Sequence, residues 1–325
     1  MIYPMFKWIS GIAVHWFYGE ITITDRERIP ERGPLFIAVN HQNALVDSLI
    51  AGWVVPRRVT MTAKATLTKN PLIAILFRML GVVPLRRTSD ERTESGSQSA
   101  PDRTRNGEAF REILRVLARG GSVLIFPEGK SHNAAGLEPL KSGLARLALS
   151  ARHDRSIKGV RILPLGLVFE DKGIPGSRVG VHIGEVIDMD EWSDRDHAAL
   201  TAEIFRRLRR VSEEAGVPPK QLKAAAIPFR TPLKERLISM AATWGRITHE
   251  LPVRMARSIA VRQSRDADQP AMLTMLLGIG LSLSAYAVAF ALVNALLHSI
   301  WISCLGVGSL LVGAYWAAFK DRHYA

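Results

Sequence analysis

Gly33-Pro34-Leu35-Phe36-Ile37-Ala38-Val39-Asn40-His41 is the stretch that decides the fold. Five consecutive apolar residues between a Gly-Pro turn and an asparagine read as a short strand buried on both faces. Such strands sit in sheets with a parallel core, covered by helices on each side. Working outward, strands and helices alternate. Asp47 to Val55 reads as a helix and Thr60 to Ala63 as a strand. Pro71 suits the first turn of a helix running to Leu80, which Gly81 ends before an extended Val82 to Leu85. Arg86 to Gly107 is polar, lacks apolar periodicity and reads as a mobile loop. Phe110, Ile113, Leu114 and Leu117 share one face of a helix over Glu108 to Leu117. Then follow a strand over Ser122 to Phe126, a helix over Leu140 to Ala151 and strands over Arg161 to Phe169 and Val179 to Ile183. A charged amphipathic helix over Asp196 to Glu214 closes the series. The expected fold of residues 21–216 is α/β, a mixed sheet flanked by helices.

Both ends of the chain are apolar. In residues 1–20, Met5, Phe6, Trp8, Ile9, Ile12, Ala13, Trp16 and Phe17 recur at helical spacing around Lys7 and His15. The run is short for a span and carries two tryptophans, which predicts an interfacial membrane helix; an ordinary amphipathic packing helix is the alternative. From Ala271 to Phe319 there is no Asp, Glu, Lys or Arg. A span needs about 20 apolar residues, so residues 269–325 are expected to form a two-helix transmembrane hairpin with a short basic tail. Asn294, His298 and Ser299 mark its turn. Arg257, Arg262 and Arg265 before it, with Lys320 and Arg322 after it, put both ends and the α/β domain on the cytoplasmic face. Gly278, Gly280, Gly306, Gly308 and Gly313 are expected to let the hairpin's two helices approach closely. Residues 217–268 are a basic helical linker: its Pro218 to Asp268 segment holds ten Lys and Arg against four Asp and Glu. Helices such as Leu233 to Ile247 suit anionic headgroups or a plain solvated connection.

The formal charge of +13 calls for polyanionic partners. No nucleic-acid motif accompanies it, and the uncharged C-terminal run selects membrane lipids instead. A single cysteine, Cys304, excludes an intrachain disulfide and a cysteine metal site, and the histidines show no metal-ligand spacing, so no metal is expected.

Four blocks along the first half of the chain carry chemistry. They are Asn40-His41-Gln42-Asn43-Ala44-Leu45-Val46-Asp47, Gly81-Val82-Val83-Pro84-Leu85-Arg86-Arg87, Phe126-Pro127-Glu128-Gly129-Lys130-Ser131 and Ile162-Leu163-Pro164-Leu165-Gly166-Leu167. His41 follows a buried strand, and such turns place side chains at the open carboxyl end of an α/β sheet. An imidazole there can take a proton near neutral pH, and a carboxylate can hold its tautomer. Arginine matches a phosphate bidentately. A proline within a strand such as Arg161 to Phe169 is ordinarily an edge or bulge feature.

In this order the blocks resemble those of the glycerolipid acyltransferase family, over roughly Ile23 to Ile187. The resemblance implies the fold of the glycerol-3-phosphate acyltransferases and the transfer of a fatty acyl group from acyl-CoA or acyl carrier protein to a phosphorylated glycerol acceptor, with no cofactor. It implies His41 as base and Asp47 as its orienting acid. It further implies Arg87, with Arg86 as the alternative, on the acceptor phosphate, and Glu128 holding the acceptor's glycerol or ordering Arg87. Gly129 shapes that turn, Ser131 contacts substrate or caps the next segment, and Lys141 of Lys141-Ser142-Gly143 adds a phosphate contact. Lys64 is a further candidate cation; Pro164 and Gly166 shape a pocket near the donor.

One feature departs from the family. Five residues separate His41 from Asp47 where four are usual. Six helical steps of about 100° do not return to one face, so a turn after His41 has to bring Asp47 back; failing that, Asn43 would orient the ring. The acceptor most expected is 1-acylglycerol 3-phosphate, giving phosphatidic acid. Glycerol 3-phosphate and dihydroxyacetone phosphate are the alternatives. A thioester or lipid hydrolase would need no second substrate, but an elbow of the Gly-x-Ser-x-Gly type is missing. A non-catalytic membrane scaffold is the remaining reading.

Overall fold

The structure, a computed structural model, describes residues 2–85, 106–134, 136–217, 233–264 and 270–319. The chain divides into two compact units. One contains Met1–Ser10, Ile21–Glu170 and Val179–Pro218; the other contains Gly11–Glu20, Asp171–Arg178 and Pro219–Ala325.

The first unit is an α/β sandwich around an eight-stranded sheet. Its strands are β1 (Glu20–Thr24), β2 (Leu35–Val39), β3 (Val59–Lys64), β4 (Val83–Leu85), β5 (Ser122–Ile125), β6 (Arg161–Phe169), β7 (Arg178–Ile183) and β8 (Ile187–Asp188). They run in the order β1-β7-β6-β2-β5-β3-β4, with β8 on β6. Strands β6, β2, β5, β3 and β4 are mutually parallel, in register Ala38 with Ile125 and Ala38 with Pro164. β7 and β8 pair antiparallel with β6, so the sheet is mixed as expected. All five residues of β2 are buried, as its unbroken apolar run requires of a central strand. Strand β1 was missed, although Glu20-Ile21-Thr22-Ile23-Thr24 alternates with the period of a strand.

Among the described residues, several helices belong to this unit or begin in it. These are α1 (Ile2–Phe17), α2 (Ala44–Val54), α3 (Pro71–Leu80), α4 (Gly107–Ala118) and α5 (Gly143–Leu149). Another, α6 (His197–Arg209), is capped by Asp196, whose carboxylate accepts from the Ala198 and Ala199 N–H groups at 2.9 and 3.3 Å. Leu200, Ile204 and Leu208 make its buried stripe and Ile113 and Leu117 that of α4. On α1, Tyr3 accepts from Val59 N–H at 2.9 Å and the Lys7 ammonium donates to Val55 O. Burial, and secondarily Arg26, pulls the Lys7 pKa down. The Arg57 guanidinium donates to Pro30 O (3.2 Å), Gly33 O (2.7 Å) and Gly120 O, tying together the loops that enter β2 and β5.

Strand β6 is interior, not an edge. It tolerates Pro164 because that residue lies where β6 changes partner, between β8 pairing at Arg161–Ile162 and β7 pairing from Leu165 onward. Pro164 O accepts from Gly184 N–H at 2.9 Å, so the missing proline N–H falls on the side already broken by this change. Two residues on, Gly166 lies under a π-turn over Arg210–Glu214. A Cβ at Gly166 would come 2.1 Å from Val211 O. Gly166→Ala is therefore expected to destabilise the protein by about 3 kcal/mol. A thermal unfolding midpoint unchanged from wild type would show that the turn yields.

The second unit is built on three helices, α7 (Leu233–Gln263), α8 (Pro270–Leu297) and α9 (Ile300–Phe319). The helix expected over Leu233 to Ile247 continues to Gln263, through Pro252. Its Ala242, Gly245, His249, Ala256 and Ala260 are buried while Leu237, Met240, Trp244, Ile247 and Leu251 are exposed. A Cβ on Gly245 would lie 1.9 Å from Gly313 O of α9, and the His249 Nε2 pairs with the Tyr286 hydroxyl of α8. The glycines expected to serve the hairpin's own interface thus serve other contacts: Gly313 meets α7, and Gly278 meets Trp16. Gly280, Gly306 and Gly308 face open space. The helix break comes at His298–Ser299, with His298 at φ 49°, as the sequence suggested. Helices α8 and α9 are long and apolar enough to cross a membrane.

Candidate active site

At the carboxyl ends of the adjacent parallel strands β2 and β5 the chain turns sharply, and the chemistry collects there. After β2, Asn40 continues the sheet with its side chain: its amide donates to Leu167 O (2.9 Å) and its oxygen accepts from Leu167 N–H (2.7 Å). This locks the residue before His41 onto β6. His41 then leaves the strand, and Ala44 at φ 44° turns the chain into α2. Asp47 occupies the first turn of that helix, where the helix dipole favours an anion.

That turn answers the long spacer. Asp47 Oδ2 lies 3.0 Å from His41 Nδ1 and also accepts from Asn43 N–H at 2.8 Å. Asn43 therefore supplies a backbone donor to the acid and does not replace it. Asp47 is wholly buried and His41 7 % exposed. Because Nδ1–H faces the carboxylate, Nε2 carries the lone pair, and it makes no hydrogen bond among the described residues. The ring stacks on Phe126, centroids 3.8 Å apart and 13° between planes, which fixes its orientation. Asp47 Oδ1 is buried without a hydrogen-bond partner among the described residues. A carboxylate so poorly solvated gains more from a neighbouring imidazolium than one in water would.

Adjacent β5 ends in Phe126-Pro127-Glu128-Gly129, a turn closed by Gly129 N–H to Phe126 O at 3.1 Å. Gly129 has φ 80°, a conformation costly for other residues. Glu128 is 1 % exposed and points inward. Its Oε1 accepts from His41 N–H at 2.6 Å; its Oε2 accepts from Glu138 N–H at 2.8 Å and bonds to His132 Nε2. The resemblance implies that Glu128 holds the acceptor's glycerol or orders Arg87; in the structure its two oxygens bond to protein donors. His132 was not singled out in the sequence. It lies four residues after Glu128, and the signal would have been a second histidine beside a motif carboxylate.

Lys141 comes to the same turn. Its N–H donates to Pro127 O at 2.7 Å, and its Cγ lies 3.3 Å from where a Gly129 Cβ would stand. Helix α5 starts at Gly143, three residues later than the expected Leu140. Ser131 is half-buried after the turn. Lys64 ends β3, third along the same row of carboxyl ends. Pro164 and Gly166 are buried; Pro164 Cβ lies 3.2 Å from the Cβ position of Gly184, and Gly166 packs on the Arg210–Glu214 turn. Arg86, Arg87 and the loop expected up to Gly107 lie outside the described residues as far as residue 105.

Comparison with known proteins bears on this arrangement. The acyltransferase family model matches residues 20–168. A 1-acyl-sn-glycerol-3-phosphate acyltransferase of Borreliella burgdorferi is 26% identical over 204 residues, covering 61% of this chain and 70% of the relative. Glycerol-3-phosphate O-acyltransferase 1 of Saccharomyces cerevisiae is 24% identical over 265 residues, 58% of this chain and 35% of the relative. An uncharacterized acyltransferase of Schizosaccharomyces pombe is 22% identical over 242 residues. The chain spans only about a third of either yeast protein, 35% and 36%. Among solved structures, the 1-acyl-sn-glycerophosphate acyltransferase PlsC of Thermotoga maritima superposes with TM-score 0.50 at 21% identity, over 66% of this chain and 79% of that one. At that identity the likeness speaks for the fold. Residues 20–168 thus carry the match to the acyltransferase family model.

Proposed function

We propose that the protein is a membrane-bound glycerolipid O-acyltransferase that moves a fatty acyl group from acyl-CoA or acyl carrier protein to 1-acylglycerol 3-phosphate, giving phosphatidic acid. The observation that carries the reading is the His41–Asp47 pair at 3.0 Å, its Nε2 unbonded, at the carboxyl end of β2. His41 Nε2 takes the proton of the acceptor hydroxyl as its oxygen attacks the thioester carbonyl. Asp47 stabilises the imidazolium that forms. Collapse of the tetrahedral intermediate breaks the carbon–sulfur bond, and the imidazolium returns the proton to the departing thiolate. The alcohol attacks directly, so no acyl-enzyme is needed.

The acceptor phosphate needs cations at a set distance from His41. The carboxyl ends of β3 and β4 stand two and three strand spacings from that of β2, about 10 and 14 Å. Lys64 ends β3, and Arg86 and Arg87 follow β4 in the chain, so in this reading the phosphate lies toward them, with Lys141 nearer the Glu128 turn. Helices α8 and α9 anchor the enzyme in the bilayer, and the flanking Arg257, Arg262, Lys320 and Arg322 favour a cytoplasmic catalytic face.

The test is a transfer assay with detergent-purified protein and labelled acyl-CoA or acylated carrier protein. It offers 1-acylglycerol 3-phosphate, glycerol 3-phosphate, dihydroxyacetone phosphate and no acceptor in parallel. Phosphatidic acid from the first is the expected result. Product from glycerol 3-phosphate alone would reassign the acceptor, and thioester cleavage without acceptor would make the protein a hydrolase.

A further inference from the structure

The base is held by its backbone as well as by its ring. His41 N–H donates to Glu128 Oε1 at 2.6 Å, and His41 O accepts from His132 N–H at 3.1 Å. The loop is closed by the side-chain bond between His132 Nε2 and Glu128 Oε2. Ala134 N–H donates to His132 Nδ1 at 3.2 Å, so Nδ1 is the acceptor and the neutral ring carries its proton on Nε2, toward Glu128. His132 is 8 % exposed and Glu128 1 %. Every polar backbone atom of His41 is thus spoken for by the segment after β5, while its ring is spoken for by α2. The two loops come from adjacent parallel strands, and nothing in either sequence alone would pin them together.

We propose that His132 is a positioning residue: through Glu128 it clips the His41 backbone so that Nε2 stays aimed at the acceptor hydroxyl. This rests on His41 being the base, as proposed above. A misplacement on the order of 1 Å in a catalytic group costs roughly 100-fold in rate. Losing the clip should act on turnover and not on substrate affinity, because neither His132 nor Glu128 offers surface to a ligand.

The experiment compares wild type with His132→Ala, His132→Asn and His132→Gln. A glutamine amide can reach the position of Nε2 and donate to Glu128; an asparagine reaches only the Nδ1 side, toward Ala134. Each variant is assayed for kcat and both KM values, and amide hydrogen exchange is followed across residues 40–47. Expected for Ala and Asn is a 10- to 100-fold loss of kcat, both KM values within about twofold of wild type, and faster exchange in that segment. Gln should restore most of the rate and the protection. Equal behaviour of Asn and Gln, a loss that appears in the acceptor KM, or unchanged kcat and exchange in all three would overturn the proposal. Should His132→Ala fail to fold, the Asn and Gln pair still decides. If wild type transfers to no acceptor, the reaction assignment fails, while the exchange comparison still judges the clip.

Discussion

His41→Ala is expected to abolish acyl transfer while the protein folds and purifies as wild type does. A positioned general base supplies about 10²- to 10⁴-fold, and the carboxylate beside it, Asp47, is wholly buried and so out of a substrate's reach. Glu128 is not a substitute, since both its oxygens are engaged with protein donors. The fold survives because the bonds that hold residue 41 to Glu128 and His132 use its backbone N–H and C=O, which alanine keeps. What is lost besides the base is the stack on Phe126 and the Nδ1–H bond to Asp47, whose Oδ2 keeps the Asn43 N–H. The measurement is initial rate against labelled acyl-CoA, with circular dichroism as the check on folding. Turnover within tenfold of wild type by a folded variant would sink the mechanism.

Asp47→Asn should be nearly as severe, about 10³-fold in kcat with small changes in either KM. Asp47 Oδ2 receives two donors, His41 Nδ1–H and Asn43 N–H. An asparagine oxygen in that place keeps both bonds and therefore the tautomer, and turns its NH₂ toward the buried position of Oδ1. The flipped amide sets a donor against Asn43 N–H. In the better of the two the carboxylate charge is gone, and with it the attraction to the imidazolium formed during attack. At about 4 Å and an effective dielectric near 20 that attraction is worth roughly 4 kcal/mol, or close to a thousandfold. Single-turnover rates separate this from binding: a loss confined to the acceptor KM would place Asp47 in recognition instead of catalysis.

Much of this was legible in the chain. The buried run Leu35–Val39, the period of α4, Pro71 at the first position of α3 and the turn at His298–Ser299 are local features, each decided by residues within a few positions of one another. The pairing of His41 with Asp47 was also within reach, because a turn between residues six apart has few ways to close. Less local features escaped or were misplaced. Strand β6 reads as an edge because of Pro164, yet is interior, since the proline falls where two partner strands change over. Glycines of α8 and α9 announced close approaches but not their partners, which proved to be Trp16 and Gly245.

The sequence by itself determined the α/β alternation, the four blocks in their order, an ionisable pair after a buried strand and two uncharged helices at the C-terminus. These depend on composition and on periodicity along a short stretch of backbone. Only the tertiary structure decided that Glu128 faces inward, that His132 completes its hydrogen bonding, and that the two together hold the backbone of a residue 87 positions earlier. Which donor meets which carboxylate oxygen follows from the register of β2 against β5, and that register is set by the packing of the whole sheet.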